Sequence, residues 1–184
     1  ADNCTDRTAA IASEKGAVVY TRQNKQAVGK GYALEALLAH IKSDYPDGYD
    51  AYLVFDADNL LAPDFLTRMN ESFSAGNEII TCYRNSKNYG SNWISAGYAL
   101  WFLRESRFLN GAREALGSSC AVSGTGFLFA HSLLEELGGW DYFLLTEDLE
   151  FTADLVCRGE KIAYCHDAVI YDEQPSSFAQ SIRQ

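Results

Sequence analysis

The chain has 184 residues, of which 47% are hydrophobic and 22% are charged, and its formal net charge at pH 7 is −10. This composition is typical of a single globular domain and excludes an intrinsically disordered chain. The longest apolar stretch, residues 120–130, contains Gly124 and Gly126 and falls short of the roughly 18 residues that a membrane-spanning helix needs. The acidic balance argues against nucleic acid as a partner, because binding to a phosphate backbone requires clustered Lys and Arg.

The five cysteines are scattered along the chain and form no C-x-x-C pair. Their odd number and irregular spacing predict reduced thiols in a cytoplasmic compartment, and neither a disulfide framework nor a zinc site.

Helices and strands are predicted to alternate along the first half of the chain. In order, the elements are a helix over residues 5–15, a strand over 17–20, a helix from Gly29 to about 45, a strand over 51–55, a helix from Pro63 to about 75, and a strand over 78–83. Apolar residues recur at helical spacing in the second helix, whereas Ala51 to Phe55 form a short apolar run that is typical of a buried strand.

The second half continues the pattern. Its predicted elements are a helical stretch over residues 92–116, a strand over 122–129, a turn at 138–140, a helix over 147–158, and strands over 162–164 and 168–171. We interpret the aromatic stripe of the long helical stretch as core. The alternation predicts one α/β domain, a sandwich with a mostly parallel sheet.

Acidic residues follow several predicted strands. Asp56 and Asp58 end the strand over residues 51–55, Asp2 follows another predicted strand end, and Asp148 begins a helix. Ligands of open α/β sheets bind beyond the carboxyl ends of the strands. A hard divalent cation takes one or two carboxylates from a protein when a diphosphate supplies the other ligands. The spacing of Asp56 and Asp58 therefore suits a cation site, although an isolated Asp-x-Asp pair also serves simply as a helix cap.

Four segments, in this order, resemble the family 2 inverting glycosyltransferases of the GT-A (nucleotide-diphospho-sugar transferase) fold, especially the membrane polysaccharide synthases. Residues 1–6, Ala-Asp-Asn-Cys-Thr-Asp, are similar to the family's D-D-G-S-x-D segment, and residues 55–58 to its D-x-D motif. Residues 138–141, Gly-Gly-Trp-Asp, precede Thr-Glu-Asp at 146–148, as G-G-(F/W)-D precedes T-E-D in the family. The resemblance covers nearly the whole chain. It implies a Rossmann-like α/β/α sandwich with a mostly parallel mixed sheet, in which residues 1–83 form a nucleotide-binding half and residues 84–184 an acceptor and catalytic half.

This resemblance implies a function and a role for each acid. The expected reaction moves a sugar from a UDP-sugar to a glycan or lipid-linked acceptor, with inversion. It would take place in the cytoplasm, at the cytosolic face of the membrane if a longer parent protein carries spanning helices. Asp2 would contact the uracil, Asp56 would support the nucleotide, and Asp58 would bind Mg²⁺ or Mn²⁺. Asp148 would be the catalytic base, with Glu147 as the neighbouring alternative.

Four further residues have weaker signals. The backbone of Gly124, Thr125 and Gly126 would let an acceptor or donor sugar approach closely. Trp140 would either stack on an acceptor sugar or lie in the core. Lys30 stands between two glycines at a helix start, where anions bind, and is either a diphosphate or uracil contact or a solvated lysine.

Two family segments are not found. The first strand with its P-x-x-N-E segment is absent, and Q-x-x-R-W is absent unless Gln184 begins it; Gln180 to Arg183 has the right start but no Trp follows. We therefore expect a fragment that is cut at both ends, lacks the first strand and self-associates. Two alternative functions stay open: a sugar-nucleotide-binding fragment without turnover, and a sugar-phosphate nucleotidyltransferase.

Overall fold

The computed structural model of the protein describes residues 1–183; Gln184, where the Q-x-x-R-W motif would begin, lies outside the described residues. The helices are α1 Thr8–Glu14, α2 Lys30–Asp44, α3 Phe65–Ser74, α4 Trp93–Leu103, α5 Gly111–Ala115, α6 His131–Glu136, α7 Glu147–Arg158 and α8 Phe178–Arg183. A π-helical segment, Arg104–Asn110, joins α4 to α5.

Five strands form one mixed sheet. They are β1 Ala51–Val54, β2 Leu60–Leu61, β3 Ile79–Ser86, β4 Phe127–Ala130 and β5 Ile162–Asp172, and their order in the sheet is β1-β4-β3-β5-β2. β3 pairs with β5 in parallel, and β4 pairs antiparallel with both β1 and β3. As a result β1, β3 and β5 run in one direction, and the loops that follow them lie at one edge of the sheet.

Apolar side chains on both faces of the sheet produce the layers. Phe127 and Phe129 belong to a core that includes Phe151 of α7, whereas Leu128 between them belongs to a second core with Phe65 and other residues of α3. Successive residues of a strand point to opposite faces, so the sheet is covered by helices on both sides. The predicted α/β sandwich of the GT-A type is confirmed, but among the described strands only β3 and β5 pair in parallel, so the sheet is mixed and not mostly parallel.

Four predicted strands differ from the structure. Residues 17–20 form no strand. The described backbone near them makes only a single isolated bridge, between Asp2 and Arg22. The strand predicted over 122–129 begins only at Phe127, since Gly124 and Gly126 adopt φ values of +70° and +67°, which no strand contains. The two strands predicted at 162–171 are one strand, β5, with a register shift opposite Cys82 and Tyr83.

The aromatic stripe of α4 does not lie in the core. Trp93 is 78% exposed and Trp101 is 60% exposed, whereas the buried positions of this helix are the small residues Ser95 and Ala99. Small residues bring the helix close to the rest of the domain and leave the large rings outside, where they line a groove of about 450 Å³ together with Phe178 of α8. None of the helices within residues 1–183 has the length and hydrophobicity needed to cross a bilayer.

Candidate active site

The loop that follows β1, Asp56–Asn59, is the centre of the site and is called the DxD loop below. The amide of Asn59 donates to the carbonyl of Asp56 across a turn, at 3.1 Å. The amide of Asp56 donates to Oγ1 of Thr125, at 2.9 Å. These bonds fix the backbone on both sides of Asp58, whose own side chain is exposed.

Lys30, the first residue of α2, contacts Asp56 of the DxD loop. Its Nζ lies 2.5 Å from Oδ1 of Asp56, donates to the carbonyl of Gly124, and lies 4.0 Å from Oε1 of Glu147. A Cβ at Gly31 would come within 1.9 Å of the Tyr142 carbonyl oxygen, so only glycine lets α2 start this close to the neighbouring segment. Lys30 is therefore an ion-paired residue at the site and not a solvated surface lysine.

The predicted helix over residues 147–158 is confirmed as α7, and it presents two carboxylates at its N-terminus. Glu147 is buried, which raises the pKa of its carboxyl, while the nearby Lys30 opposes that shift. Oδ1 of Asp148 accepts a hydrogen bond from the amide of Leu149, at 2.9 Å. Oδ2 of Asp148 would lie 3.3 Å from a Cβ at Gly124, so this carboxylate borders the same loop that Lys30 contacts.

A cleft of about 200 Å³ lies between the DxD loop and the ends of β3 and β5. This acid cleft is lined by Asp56, Asp58, Arg84, Tyr98, Phe102, Asp172, Glu173 and Gln174. Burial raises the pKa of Asp58, and the negative charges of Asp172 and Asp56 raise it further. Carboxylates in such proximity repel each other, so a cation in the cleft would be stabilised.

Asp2 lies on the other side of the DxD loop. Its Oδ1 accepts a hydrogen bond from Nη1 of Arg22, at 2.7 Å. Asp2, Arg22, Lys30 and Ala57 all line a second cavity, of about 490 Å³. The DxD loop therefore borders two neighbouring spaces: Asp2 lines the second cavity, whereas Asp56 and Asp58 line the acid cleft.

Thr125 and Gly126 do not face a ligand. Thr125 is 1% exposed, and its hydroxyl is used within the protein, accepting from Asp56 and donating to Oδ1 of Asn59. A Cβ at Gly126 would lie 2.3 Å from Sγ of Cys82, so the close approach at this glycine is to the core. The expectation of a sugar contact at these two residues is corrected: they hold the DxD loop against the sheet.

Trp140 is likewise a core residue. Its indole is 4% exposed, lies 5.0 Å from the ring of Phe151 and donates to the carbonyl of Tyr142. No face of the ring is open for stacking on an acceptor sugar, so the core alternative applies.

Arg84 and Asp172 were not recognised from the sequence, yet they form the floor of the acid cleft. Arg84 lies in β3 and Asp172 ends β5, and their side chains form an ion pair in which Asp172 is 3% exposed. A signal existed for Asp172, because it directly follows the predicted strand over 168–171, as Asp56 follows the strand over 51–55. Arg84 has no such signal, since a basic residue in a strand is ordinarily solvated.

The carboxylates of the DxD loop provide oxygen ligands for a divalent cation. No three His, Cys, Asp or Glu side chains gather into a ready metal centre within residues 1–183. The DxD loop offers two carboxylates, and one of them, Asp56, is already paired with Lys30. This oxygen set suits a cation that takes one or two protein ligands and completes its shell with phosphate oxygens and water.

The chain is similar to known proteins over its whole length. A model of the family described as "Glycosyltransferase like family 2" matches residues 1–184. Probable glycosyltransferase YdaM of Bacillus subtilis (strain 168) is 25% identical over 200 residues, which cover 100% of this chain and 44% of that protein.

Two further relatives are of plant and archaeal origin. Probable glucomannan 4-beta-mannosyltransferase 3 of Arabidopsis thaliana is 28% identical over 80% of this chain and 27% of its own length. A probable glycosyltransferase of Sulfolobus acidocaldarius is 29% identical over 70% of this chain and 28% of its own length. The chain thus spans less than half the length of these relatives.

Proposed function

The chain belongs to glycosyltransferase-like family 2, and from this premise we propose that it transfers a hexosyl group from a UDP-sugar to a hydroxyl of a glycan or lipid-linked acceptor, with inversion and with the help of Mg²⁺ or Mn²⁺. Glycosyl transfer itself follows from the family and from relatives named as glycosyltransferases and mannosyltransferases. Family membership also favours it over the nucleotidyltransferase alternative.

The charge of the site is the observation that carries the metal-dependent part of the proposal. Six carboxylates lie in the DxD loop or near it, namely Asp56, Asp58, Glu147, Asp148, Asp172 and Glu173. The three cations among them, Lys30, Arg84 and Lys87, are all paired with carboxylates. A nucleoside diphosphate is itself an anion and would be repelled from this surface. A divalent cation on Asp58 offsets that repulsion and supplies Lewis-acid stabilisation to the departing diphosphate.

The acids at the start of α7 are placed to handle the proton. In an inverting transfer the acceptor oxygen forms a bond to the anomeric carbon while the bond from that carbon to the diphosphate oxygen breaks. The hydroxyl proton must pass to a base, and UDP leaves with the electron pair of the broken bond. Asp148 borders Gly124 and, within residues 1–183, makes no salt bridge, whereas Glu147 lies near Lys30. Glu147 is buried, whereas Asp148 is partly exposed and is not held in an ion pair among the described residues, so an acceptor hydroxyl can reach it. We therefore assign the base to Asp148.

The proposed donor is tested by calorimetry on the purified chain. UDP is titrated with Mn²⁺ present and with EDTA, and GDP is titrated in parallel, because Asp2 is proposed as a uracil contact. We expect Mn²⁺ to tighten UDP binding by at least about tenfold, which corresponds to about 1.4 kcal/mol, and Asp58→Asn to remove that difference.

The control is Asp64→Asn, which removes an exposed carboxylate paired with Arg68 and should leave the metal effect intact. Equal UDP binding with and without Mn²⁺ in the unmodified chain would refute the metal-dependent site. Tighter binding of GDP than of UDP would refute the uridine assignment alone. Binding without release of UDP from any UDP-sugar would instead support the non-catalytic alternative.

A further inference from the structure

Asp172 is the most buried carboxylate among the described side chains, and both of its oxygens are fully used. Oδ2 accepts from Nε and Nη2 of Arg84 and, at 3.0 Å, from Nε2 of Gln174. Oδ1 accepts from Nδ2 of Asn59 at 3.0 Å and from the amide of Glu173 at 2.9 Å. Five hydrogen bonds leave Asp172 no free lone pair directed at the cleft, so it is not a ligand-binding group itself.

Arg84 is also held by several contacts besides its ion pair with Asp172. Nη1 donates to the carbonyl oxygen of Ser123, at 3.1 Å, and the guanidinium carbon lies 3.6 Å from the ring centroid of Phe102. The backbone amide of Arg84 donates to Oγ of Ser106 in the π-helical segment. The guanidinium thus connects β5, the segment before Gly124, and the end of α4.

Asn59 connects this ion pair to the DxD loop. Nδ2 of Asn59 lies 3.0 Å from Oδ1 of Asp172 and 3.3 Å from Oδ1 of Asp58. Its Oδ1 accepts from the hydroxyl of Thr125, and that hydroxyl oxygen in turn accepts from the amide of Asp56. Each residue that flanks Ala57 and Asp58 is therefore tied, directly or through Thr125, to a buried group.

We propose that Arg84 and Asp172 are a positioning pair that acts through Asn59 to hold the DxD loop with its carboxylates toward the acid cleft. A buried ion pair contributes little net stability compared with well-packed apolar residues, so global stability does not explain its presence beneath the loop. Groups that orient ligating side chains from behind typically change metal affinity by about 10- to 100-fold when they are altered. The pair's effect on ligand binding rests on the proposed function, whereas its effect on the loop does not.

The first test measures the loop without any ligand, by hydrogen exchange at the amides of Asp56 and Asn59. Asp172→Asn keeps the side-chain volume but replaces an acceptor oxygen by a donor, so Arg84 or Asn59 loses a partner. Asn59→Ala leaves the ion pair intact and removes only the link, so it remains informative if Asp172→Asn fails to fold. In both variants we expect exchange at these two amides to be at least about tenfold faster, while exchange in β3 stays unchanged.

The second test measures binding of Mn²⁺ with UDP to the same variants. We expect the affinity to fall by at least about tenfold for Asp172→Asn, for Asn59→Ala and for Arg84→Lys. Arg84→Lys retains the charge but cannot reach both Asp172 and Ser123, so a role of charge alone would leave its affinity normal. Asp154→Asn is the control, because Asp154 also accepts from an arginine, Arg158, but on the outer part of α7.

The outcomes separate the two proposals. Unchanged amide exchange in Asn59→Ala would overturn the positioning role whatever the ligand data show. Faster exchange with unaltered binding of Mn²⁺ and UDP would overturn the link from loop order to the site. No binding of UDP and Mn²⁺ by the unmodified chain would refute the proposed function, while the exchange measurement would still decide whether the pair orders the loop.

Discussion

The ammonium nitrogen of Lys30 lies 2.5 Å from Oδ1 of Asp56. The first acid of the D-x-D motif is therefore neutralised by a residue that precedes it by a whole helix. The Asp58 carboxylate has no salt-bridge partner among the described residues. The negative charges of Asp172 and Asp56 raise its pKa, and Lys87, which donates to the carbonyl oxygen of Asp58, opposes that shift.

Lys30→Met tests whether this lysine serves the ligand as well as Asp56. Removing the ammonium group frees Asp56 and makes the site more negative, so Mn²⁺ alone should bind about threefold more tightly or better. UDP at saturating Mn²⁺ should bind about tenfold more weakly, because the diphosphate loses a cation. Calorimetry measures both, and Lys42→Met, which breaks an exposed pair with Glu135, is the control. Unchanged values in both titrations would leave Lys30 only a structural role.

Asp148→Asn tests the catalytic base. The substitution preserves size and the hydrogen bond from the Leu149 amide, so binding of UDP and Mn²⁺ should survive. Turnover, measured as UDP release in a form of the protein that transfers sugar, should fall by at least about a hundredfold. Glu147→Gln is the matched comparison, and a fall in Glu147→Gln with none in Asp148→Asn would move the role to Glu147.

Glu147 should make the stability of the domain depend on pH. Burial raises the pKa of its carboxyl above the usual 4.5, so the folded state binds the proton more tightly than the unfolded state. The free energy of unfolding therefore falls as the pH rises above 4.5 through the raised pKa. Glu147→Gln removes this loss, so the variant should gain stability relative to the unmodified chain between about pH 4.5 and 7. Urea denaturation at several pH values measures it.

Glu35→Gln, which alters an exposed residue of α2, is the control for the pH experiment and should show no such trend. A stability difference for Glu147→Gln that stayed constant across this range would mean that Lys30 fully compensates the burial.

Gly126→Ala should destabilise the domain through packing as well as backbone strain. The added methyl group would lie 2.3 Å from Sγ of Cys82 and 2.8 Å from Cδ1 of Ile170. Gly76 has a similar φ, +95°, with no atom within 4 Å of such a methyl group, so Gly76→Ala isolates the backbone cost of about 1–2 kcal/mol. Gly126→Ala should exceed it by about 1–3 kcal/mol. Equal losses in chemical denaturation would show that the core adjusts freely.

Self-association is expected from the free edge of β1. Among residues 1–183 this strand pairs only with β4, and beside it lies an apolar crevice of about 440 Å³ between β1 and α2 that also includes Val18 and Tyr20. An unpaired edge next to apolar surface is a template for another strand. Light scattering at micromolar concentrations should show species larger than the monomer, and Leu53→Lys, placed in β1, should reduce them. A monomeric mass at all concentrations would contradict the expectation.

The sequence predicted the fold class and the acids, because both depend on local patterns. Apolar runs and strand ends identified β1 and the DxD loop, and Gly159, which takes a left-handed φ of +89° at the end of α7, marked that helix end correctly. The contact of Lys30 with Asp56, and its distance of 4.0 Å from Glu147, were not predicted from these local signals.

What the sequence could not predict depends on tertiary contacts. Trp140 and Thr125 belong to residue types that often contact ligands. In the structure Trp140 packs in the core and Thr125 accepts a hydrogen bond from the DxD loop. Trp93 and Trp101 look like core residues, yet the small Ser95 and Ala99 take the buried face of α4. Arg84 could not be recognised because its importance comes from a partner on another strand.

The hydrogen bonds of the site connect distant parts of the chain. Lys30 and Gly124 are 94 residues apart in sequence, Arg84 and Asp172 are 88 apart, and Asn59 and Asp172 are 113 apart. Closing loops of this length carries an entropic cost that must be met before the contacts are gained, which makes such contacts late events in folding. While the chain is synthesised from its N-terminus, the loop after β1 emerges long before β5 and has no buried partner in the meantime. Ligand binding would therefore report the last stage of folding, and an N-terminal piece that ends before β5 would lack both Asp172 and the strand that lies between β3 and β2.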